Sequence, residues 1–191
     1  MDTKNIVIVG VGGQGSLLAG KILGHLFLNA GFDVKVSEVH GMSQRGGSVI
    51  TFVRFGDKVF SPVVDKGHAD YLVSFELLET ARHLSYLKSG GQVVTNTQRL
   101  DPMPVITGAA VYPENLADKI RALGVNVDAL DCVTLAKTAG SVKAVNLVLL
   151  GRLSHYFDIA ETSWQNSITA CVPAKFLELN QRAFELGKNF S

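Results

Sequence analysis

Two glycine-bearing segments near the amino terminus carry the residues best suited to chemistry. The first, Gly10-Val-Gly12-Gly13-Gln14-Gly15, fits G-x-G-x-x-G through Gly10, Gly12 and Gly15. It follows the β-branched run Ile6–Val9 and precedes a helical pattern, the context in which such glycines let a backbone turn tightly and approach a phosphate at a helix start. A second reading is that the glycines only allow a helix to pack closely on a strand. The second segment, Glu38-Val-His40-Gly-Met-Ser-Gln44-Arg45-Gly-Gly47, sets four functional side chains between glycines at the end of a second strand. Arg45 offers a planar fork of donors to a phosphate or carboxylate. Glu38 stands where an acidic residue meets the ribose of a dinucleotide. His40 is equally readable as a strand cap. Ser43 or His40 could in residue type serve as nucleophile and base, but the spacing supplies no third group to orient them. Cys132 and Cys171 read as small buried hydrophobes, and neither belongs to a Cys-x-x-Cys pair.

These loops need a frame, and the pattern around them predicts a single domain over 1–191. Its class is a three-layer α/β/α fold with a mostly parallel, Rossmann-like sheet, an inserted antiparallel hairpin and a helical C-terminal third. Ile6–Val9 reads as a buried strand. Leu17, Leu18, Ile22, Leu26 and Phe27 recur at helical spacing up to Gly31, and Val34–Val39 alternates as a strand. Segments 48–55 and 58–61 flank Gly56-Asp57 and predict the hairpin. A parallel strand at 70–75, a helix at 77–87 stopped by Ser89-Gly90-Gly91, and a strand at 92–95 follow. Short strands are expected near Val105 and Ala110, then a helix at 114–123 and a last strand at 125–130. From Asp131 onward the pattern is helical, most apolar over 142–156, with Pro173 opening a final amphipathic helix. Because carboxyl ends of strands in an open α/β sheet converge on one crevice, the two glycine segments should share an edge.

Composition limits what the edge binds. The chain has 191 residues, 47% of them hydrophobic and 18% charged, enough apolar material for one core. Its 18 Lys and Arg balance 17 Asp and Glu, leaving a net charge near +1 and no global field for nucleic acid or acidic membranes. An anionic ligand must be bound locally. No apolar stretch reaches the ~20 residues of a membrane span, and the start lacks a signal-peptide pattern, so a cytoplasmic protein is expected.

Taken together, Gly10–Gly15 and Ser37-Glu38-Val39-His40-Gly41-Met42-Ser43-Gln44-Arg45-Gly46-Gly47 resemble the gamma domain of pyruvate, ketoisovalerate and indolepyruvate ferredoxin oxidoreductases. The likeness extends through Asp70–Glu76, where the family has a strand leading to an acidic helix start, and to Asn146 and Gly151. The wording of the second segment is similar to the indolepyruvate branch in particular. The resemblance implies a subunit of an enzyme that oxidatively decarboxylates a 2-oxoacid and hands the acyl group to coenzyme A. Thiamine diphosphate, magnesium and 4Fe-4S clusters would lie on an alpha-type partner, with ferredoxin as acceptor through the complex, and this chain could also homo-dimerise with its own copy across a two-fold axis. This chain would then be inactive alone. It would assign no catalytic side chain and no metal ligand here, and coenzyme A contacts to Gly12, Gly13, Gln14, Gly15, Glu38, His40, Gln44 and Arg45. The alternatives are a self-sufficient dinucleotide-dependent oxidoreductase and a nucleotide-binding module.

Overall fold

A computed structural model of the protein describes residues 2–41 and 46–190. Six strands form one sheet in the order β2-β3-β1-β4-β5-β6. They are β1 (Lys4–Val11), β2 (Asp33–His40), β3 (Ser48–Gly56), β4 (Ala69–Ser74), β5 (Leu87–Asn96) and β6 (Asn126–Leu130). The β1, β4, β5 and β6 neighbours pair in parallel, whereas β3 runs antiparallel to both β1 and β2. Ile6 to Val9 of β1 are fully buried, as a strand covered on both faces requires.

Two helical layers cover the sheet. On one face lie α1 (Ser16–Asn29), α5 (Cys132–Ala139), α6 (Val145–Leu153), α7 (Glu161–Cys171) and α8 (Leu177–Lys188), sharing a core with Ile6, Ile8, Val53, Phe55, Val73 and Val94. Phe27 of α1 stacks on Phe55 with ring centroids 3.6 Å apart. The smaller layer holds α2 (Leu77–His83), the 3-10 turn Leu84–Tyr86 and α4 (Leu116–Ala122); its core includes Val7, Val9, Phe52, Val64, Leu72 and Val93. The three-layer class and the helical last third agree with the sequence reading.

Three local expectations differ. The antiparallel hairpin is made by β2 and β3, Val36 facing Val53, so β3 separates β1 from β2. Segment 58–61 is not a strand. β3 has apolar residues for both faces and belongs in the middle of the sheet, whereas 58–61 buries only Val59. The segment is pinned as a strap instead. Asp33 Oδ2 accepts the Val59 amide at 2.8 Å, and Arg54 donates to the Ser61 and Val63 carbonyls at 2.9 and 2.8 Å. Near Val105 the chain forms the one-turn helix α3 (Met103–Ile106), and residue 110 lies in no strand. Pro102 precedes that turn and Pro104 sits within it, where a missing amide costs nothing. Finally, the helix from Leu77 ends at His83, and β5 begins at Leu87 and runs through Gly90-Gly91 with a register shift opposite Ala69 and Tyr71. Those glycines mark a bulge inside a strand.

Candidate functional site

The turn after β1 leaves the sheet where β1 is flanked by β3 and β4, and it is stitched to the far end of the second glycine segment. Gly12 N–H donates to the Gly47 carbonyl at 2.8 Å, and Gly46 N–H donates to the Gly12 carbonyl at 3.4 Å. The two segments therefore share one edge, as expected. Gly15 begins α1 in the left-handed region at φ +93°, and a Cβ there would lie 2.9 Å from Asn146 Nδ2 at the start of α6. Gly13 has φ +102° and would direct a Cβ into open space. Having no side chain, Gly15 provides no side-chain cap for α1. The leading amides of α1 therefore have neither an intrahelical acceptor nor that cap, the ordinary condition for receiving an anion.

Gln14 braces the turn from within. Its Oε1 accepts the Val11 amide at 2.7 Å, while Nε2 donates to the Phe75 carbonyl and to Gln98 Oε1, each at 3.3 Å. Asn96, fully buried, continues the brace. Its Nδ2 donates to Phe75 O at 3.1 Å and Gln98 Oε1 at 3.3 Å, and its Oδ1 accepts the Cys132 amide at 3.1 Å. The ends of β1, β4 and β5 and the start of α5 are thus tied by side-chain amides. Glu76, 1% exposed, fixes the loop above them. Its carboxylate accepts the Glu79 amide at 2.9 Å, capping α2, together with the Leu100 amide at 3.1 Å and the Tyr112 hydroxyl at 2.6 Å. Burial first, and then that bond, push the Tyr112 hydroxyl well above the ordinary phenol range, so it stays a donor.

The braced turn forms a ridge between two hollows. On the β5 side a cleft of about 650 Å³ is lined by Gly13, Gln14, Gly15, Gln98, Val133 and Lys143, among others. On the β2 side a groove of about 480 Å³ is lined by Gly13, Ser16, Leu17, Glu38, His40 and Val49, with neighbouring glycines. Glu38 is held by buried Thr51, whose hydroxyl donates to Glu38 Oε2 at 3.2 Å. His40 is exposed, its Nδ1 3.1 Å from the Gly41 carbonyl. Leu17, which helical spacing puts among the core positions, is 64% exposed beside this groove. Of the residues singled out from sequence, Gly12, Gly13, Gln14, Gly15, Glu38 and His40 gather on the ridge and its flanks; Gln44, Arg45 and Ser43 lie outside the described residues.

Sequence reasoning passed over Lys143, Gln98 and Ser16. Ser16 directly follows the glycine pattern and is a weak signal for a helix-start ligand. Lys143 sits far along the chain, and only the packing of α6 on Gly15 brings its turn to the ridge. Cys132 is fully buried, and burial above all pushes its thiol well above its ordinary value; burial also raises half-buried Cys171. Neither is set up as a thiolate nucleophile. Among the described residues no group of three or more His, Cys, Asp or Glu is arranged to hold a metal, and no helix is long and apolar enough to cross a membrane.

Comparison with known proteins gives this geometry a context. Residues 5–190 match the family model for pyruvate ferredoxin/flavodoxin oxidoreductase. The indolepyruvate oxidoreductase subunit IorB of Thermococcus kodakarensis is 45% identical, over 98% of this chain and 95% of its own length. The keto/oxoacid ferredoxin oxidoreductase gamma subunit from Geobacter sulfurreducens shares the fold with a TM-score of 0.72 at 23% identity, covering 97% of this chain and 96% of that one. A 2-oxoglutarate:ferredoxin oxidoreductase from Magnetococcus marinus, solved with 2-oxoglutarate, coenzyme A and succinyl-CoA bound, superposes with a TM-score of 0.75 at 22% identity. That match covers 98% of this chain and 31% of the larger one, a likeness of fold. With the model matching nearly the whole chain and a close relative aligned end to end, this protein belongs to the pyruvate ferredoxin/flavodoxin oxidoreductase family.

Proposed function

We propose that the chain is the non-redox subunit of an indolepyruvate oxidoreductase, holding coenzyme A beside a catalytic partner in a cytoplasmic complex. The reaction converts an aryl 2-oxoacid and coenzyme A to acyl-coenzyme A and carbon dioxide, releasing two electrons, taken up by ferredoxin, and a proton. The carrying observation is the ridge itself: a braced glycine turn at a helix start, open at Gly13, between two hollows each large enough for part of a nucleotide.

The donor set divides the cofactors. With two cysteines in the whole sequence, the chain cannot supply four thiolates to a 4Fe-4S cluster. It also lacks the Gly-Asp-Gly and downstream Asn with which thiamine enzymes hold magnesium and diphosphate. Thiamine diphosphate and the clusters therefore belong on the alpha-type partner. A phosphate-bearing co-substrate does fit this chain: the amides of Gly13, Gly15 and Ser16 can receive phosphate oxygens, and Lys143 can add charge. Gln14, with both ends of its amide engaged, shapes the turn. On this reading Arg45 and Gln44 act on the ligand or partner from the second glycine segment. Substrate choice among indolepyruvate, other aryl pyruvates and branched-chain 2-oxoacids is set mainly on the partner.

Purifying tagged protein from its own host tests the proposal. A co-purifying chain that contains thiamine diphosphate and iron supports it. A chain that purifies alone and binds NAD or FAD tightly replaces it with the plain dinucleotide reading, in which Glu38 would meet the ribose.

A further inference from the structure

We propose that Glu79 is a positioning residue for the reaction: through the hydroxyl of Ser48 it latches the exit of the second glycine segment to α2 and so keeps that segment ordered. The latch stands on the geometry alone. What it serves rests on the functional reading above.

Glu79 lies in α2 and is 2% exposed, yet its carboxylate reaches a segment of chain outside its own layer. Oε2 accepts the Ser48 hydroxyl at 2.5 Å, a charge-assisted bond spanning 31 residues, and Oε1 accepts Arg82 Nη1 at 2.6 Å. One turn on, His83 places Nδ1 2.9 Å from the Glu79 carbonyl and 3.6 Å from Oε2. Ser48 opens β3 directly after Gly46-Gly47, the pair whose backbone shares two hydrogen bonds with Gly12. The bond to Glu79 therefore falls where the second glycine segment enters the sheet. Glu76, at the N-cap of α2, does the matching work opposite, accepting the Leu100 amide and the Tyr112 hydroxyl. The two carboxylates thus hold both walls of a hollow of about 240 Å³ lined by Gly46, Ser48, Arg82, Leu100 and Asp101, among others.

A charge at this place is better explained by position than by stability. A buried carboxylate paired with a guanidinium is often no more stabilising than apolar side chains of the same volume, because desolvation offsets the attraction. A directed hydroxyl-to-carboxylate bond does what apolar packing does not, fixing one atom of one loop at one point. The glycines make such a latch necessary. Gly46 and Gly47 offer no side chain by which the segment could be packed, and Ser48 is the first residue after them that does. Without the bond the glycine pair is freer to leave Gly12. A co-substrate that needs the ordered segment then binds with an apparent affinity reduced by the fraction of molecules still ordered.

The test uses the complex purified through the tagged chain and takes two readouts: hydrogen exchange in the peptides carrying Gly12 and Gly46, and the kinetics of 2-oxoacid-dependent dye reduction with coenzyme A. Ser48→Ala, a change at an exposed position that leaves Glu79 its Arg82 partner, speeds exchange at Gly12 and Gly46 roughly tenfold while exchange in α6 is unaltered. KM for coenzyme A rises by a similar factor, with kcat changed less than about twofold. Ser48→Thr, which keeps the hydroxyl, restores both readouts. Adding Glu79→Gln to Ser48→Ala raises KM no further, whatever it costs in stability, as two residues acting through one bond require. Unchanged exchange at Gly12 and Gly46 in Ser48→Ala, or an additive rise of KM in the double variant, overturns the latch. Faster exchange with an unaltered KM overturns its role in the reaction, and the functional reading stands in all three cases. A wild-type complex without coenzyme A-dependent turnover overturns the functional reading and that role with it, while the exchange readout still decides the latch.

Discussion

Gly15 and Gln14 sit side by side in the chain and do different work. Gly15 is required twice, by its φ of +93° and by the approach of Asn146 to 2.9 Å of where a Cβ would stand. Gly15→Ala should cost about 2 kcal/mol, the scale of a non-glycine residue held in a left-handed conformation, with a further loss from displacing Asn146; chemical denaturation measures it. Gln14→Ala removes three hydrogen bonds, one from the Val11 amide within the turn and two that tie the turn to Phe75 and Gln98. A loss of roughly 1–3 kcal/mol in the same assay is expected, because the Val11 amide is left without its acceptor. A larger effect of Gln14→Ala on ligand KM than on stability would instead make it a direct contact. The glycine spacing was legible in sequence, since backbone geometry dictates it locally. The bracing role of Gln14 was not, because its partners lie 61 and 84 residues away, and no spacing rule names them. Lys143 was hidden for the same reason.

At the scale of elements, the C-terminal helices form a platform under the ridge. α6 and α8 cross so closely that a Cβ on Gly151 would stand 2.0 Å from the Phe184 carbonyl, and one on Gly187 2.0 Å from that of Val148. Either change to Ala forces two backbones apart, and a loss of about 3 kcal/mol is expected, at the upper end for overpacking. Because α6 carries Asn146 to the ridge and follows directly on the 3-10 turn that holds Lys143, the Gly151 variant should, on the proposed reading, lose affinity for coenzyme A together with stability. Asp131 opens α5, accepting the Thr134 hydroxyl at 2.6 Å and its amide at 3.0 Å. These bonds, the hydroxyl's first, hold its carboxyl below the ordinary range. A folded-state value below the unfolded one means that the carboxylate's contribution is complete above the ordinary carboxyl range and is lost as pH falls through the lowered value. The stability difference between wild type and Asp131→Ala should therefore be present at neutral pH and shrink in strong acid; a pH-independent difference would assign it to packing. Most helices and buried strands followed from hydrophobic period. The misplaced hairpin did not, because Gly56-Asp57 is a sound turn signal, and only the two-sided burial of β3 shows that its partners are β1 and β2.

Over the whole molecule, the sheet places its parallel half, β1 and β4 to β6, beside an antiparallel pair, and the edge proposed as the site lies where the two meet. The class of fold and the sharing of that edge by both glycine segments were readable in advance, because strand–turn–helix order fixes which end of the sheet the loops occupy. The division of the edge into a Lys143 side and a Glu38 side depended on tertiary packing. On the proposed reading the electron-transfer chemistry belongs to a partner chain, and the isolated subunit is expected to reduce no dye with any 2-oxoacid.

The most direct test of this account compares coenzyme A-dependent dye reduction from indolepyruvate by the complex purified through this chain with that by the chain alone. Turnover by the complex that saturates with coenzyme A, and none by the isolated chain, is the predicted result. Activity in the isolated chain, or a complex that turns over without coenzyme A, would contradict it.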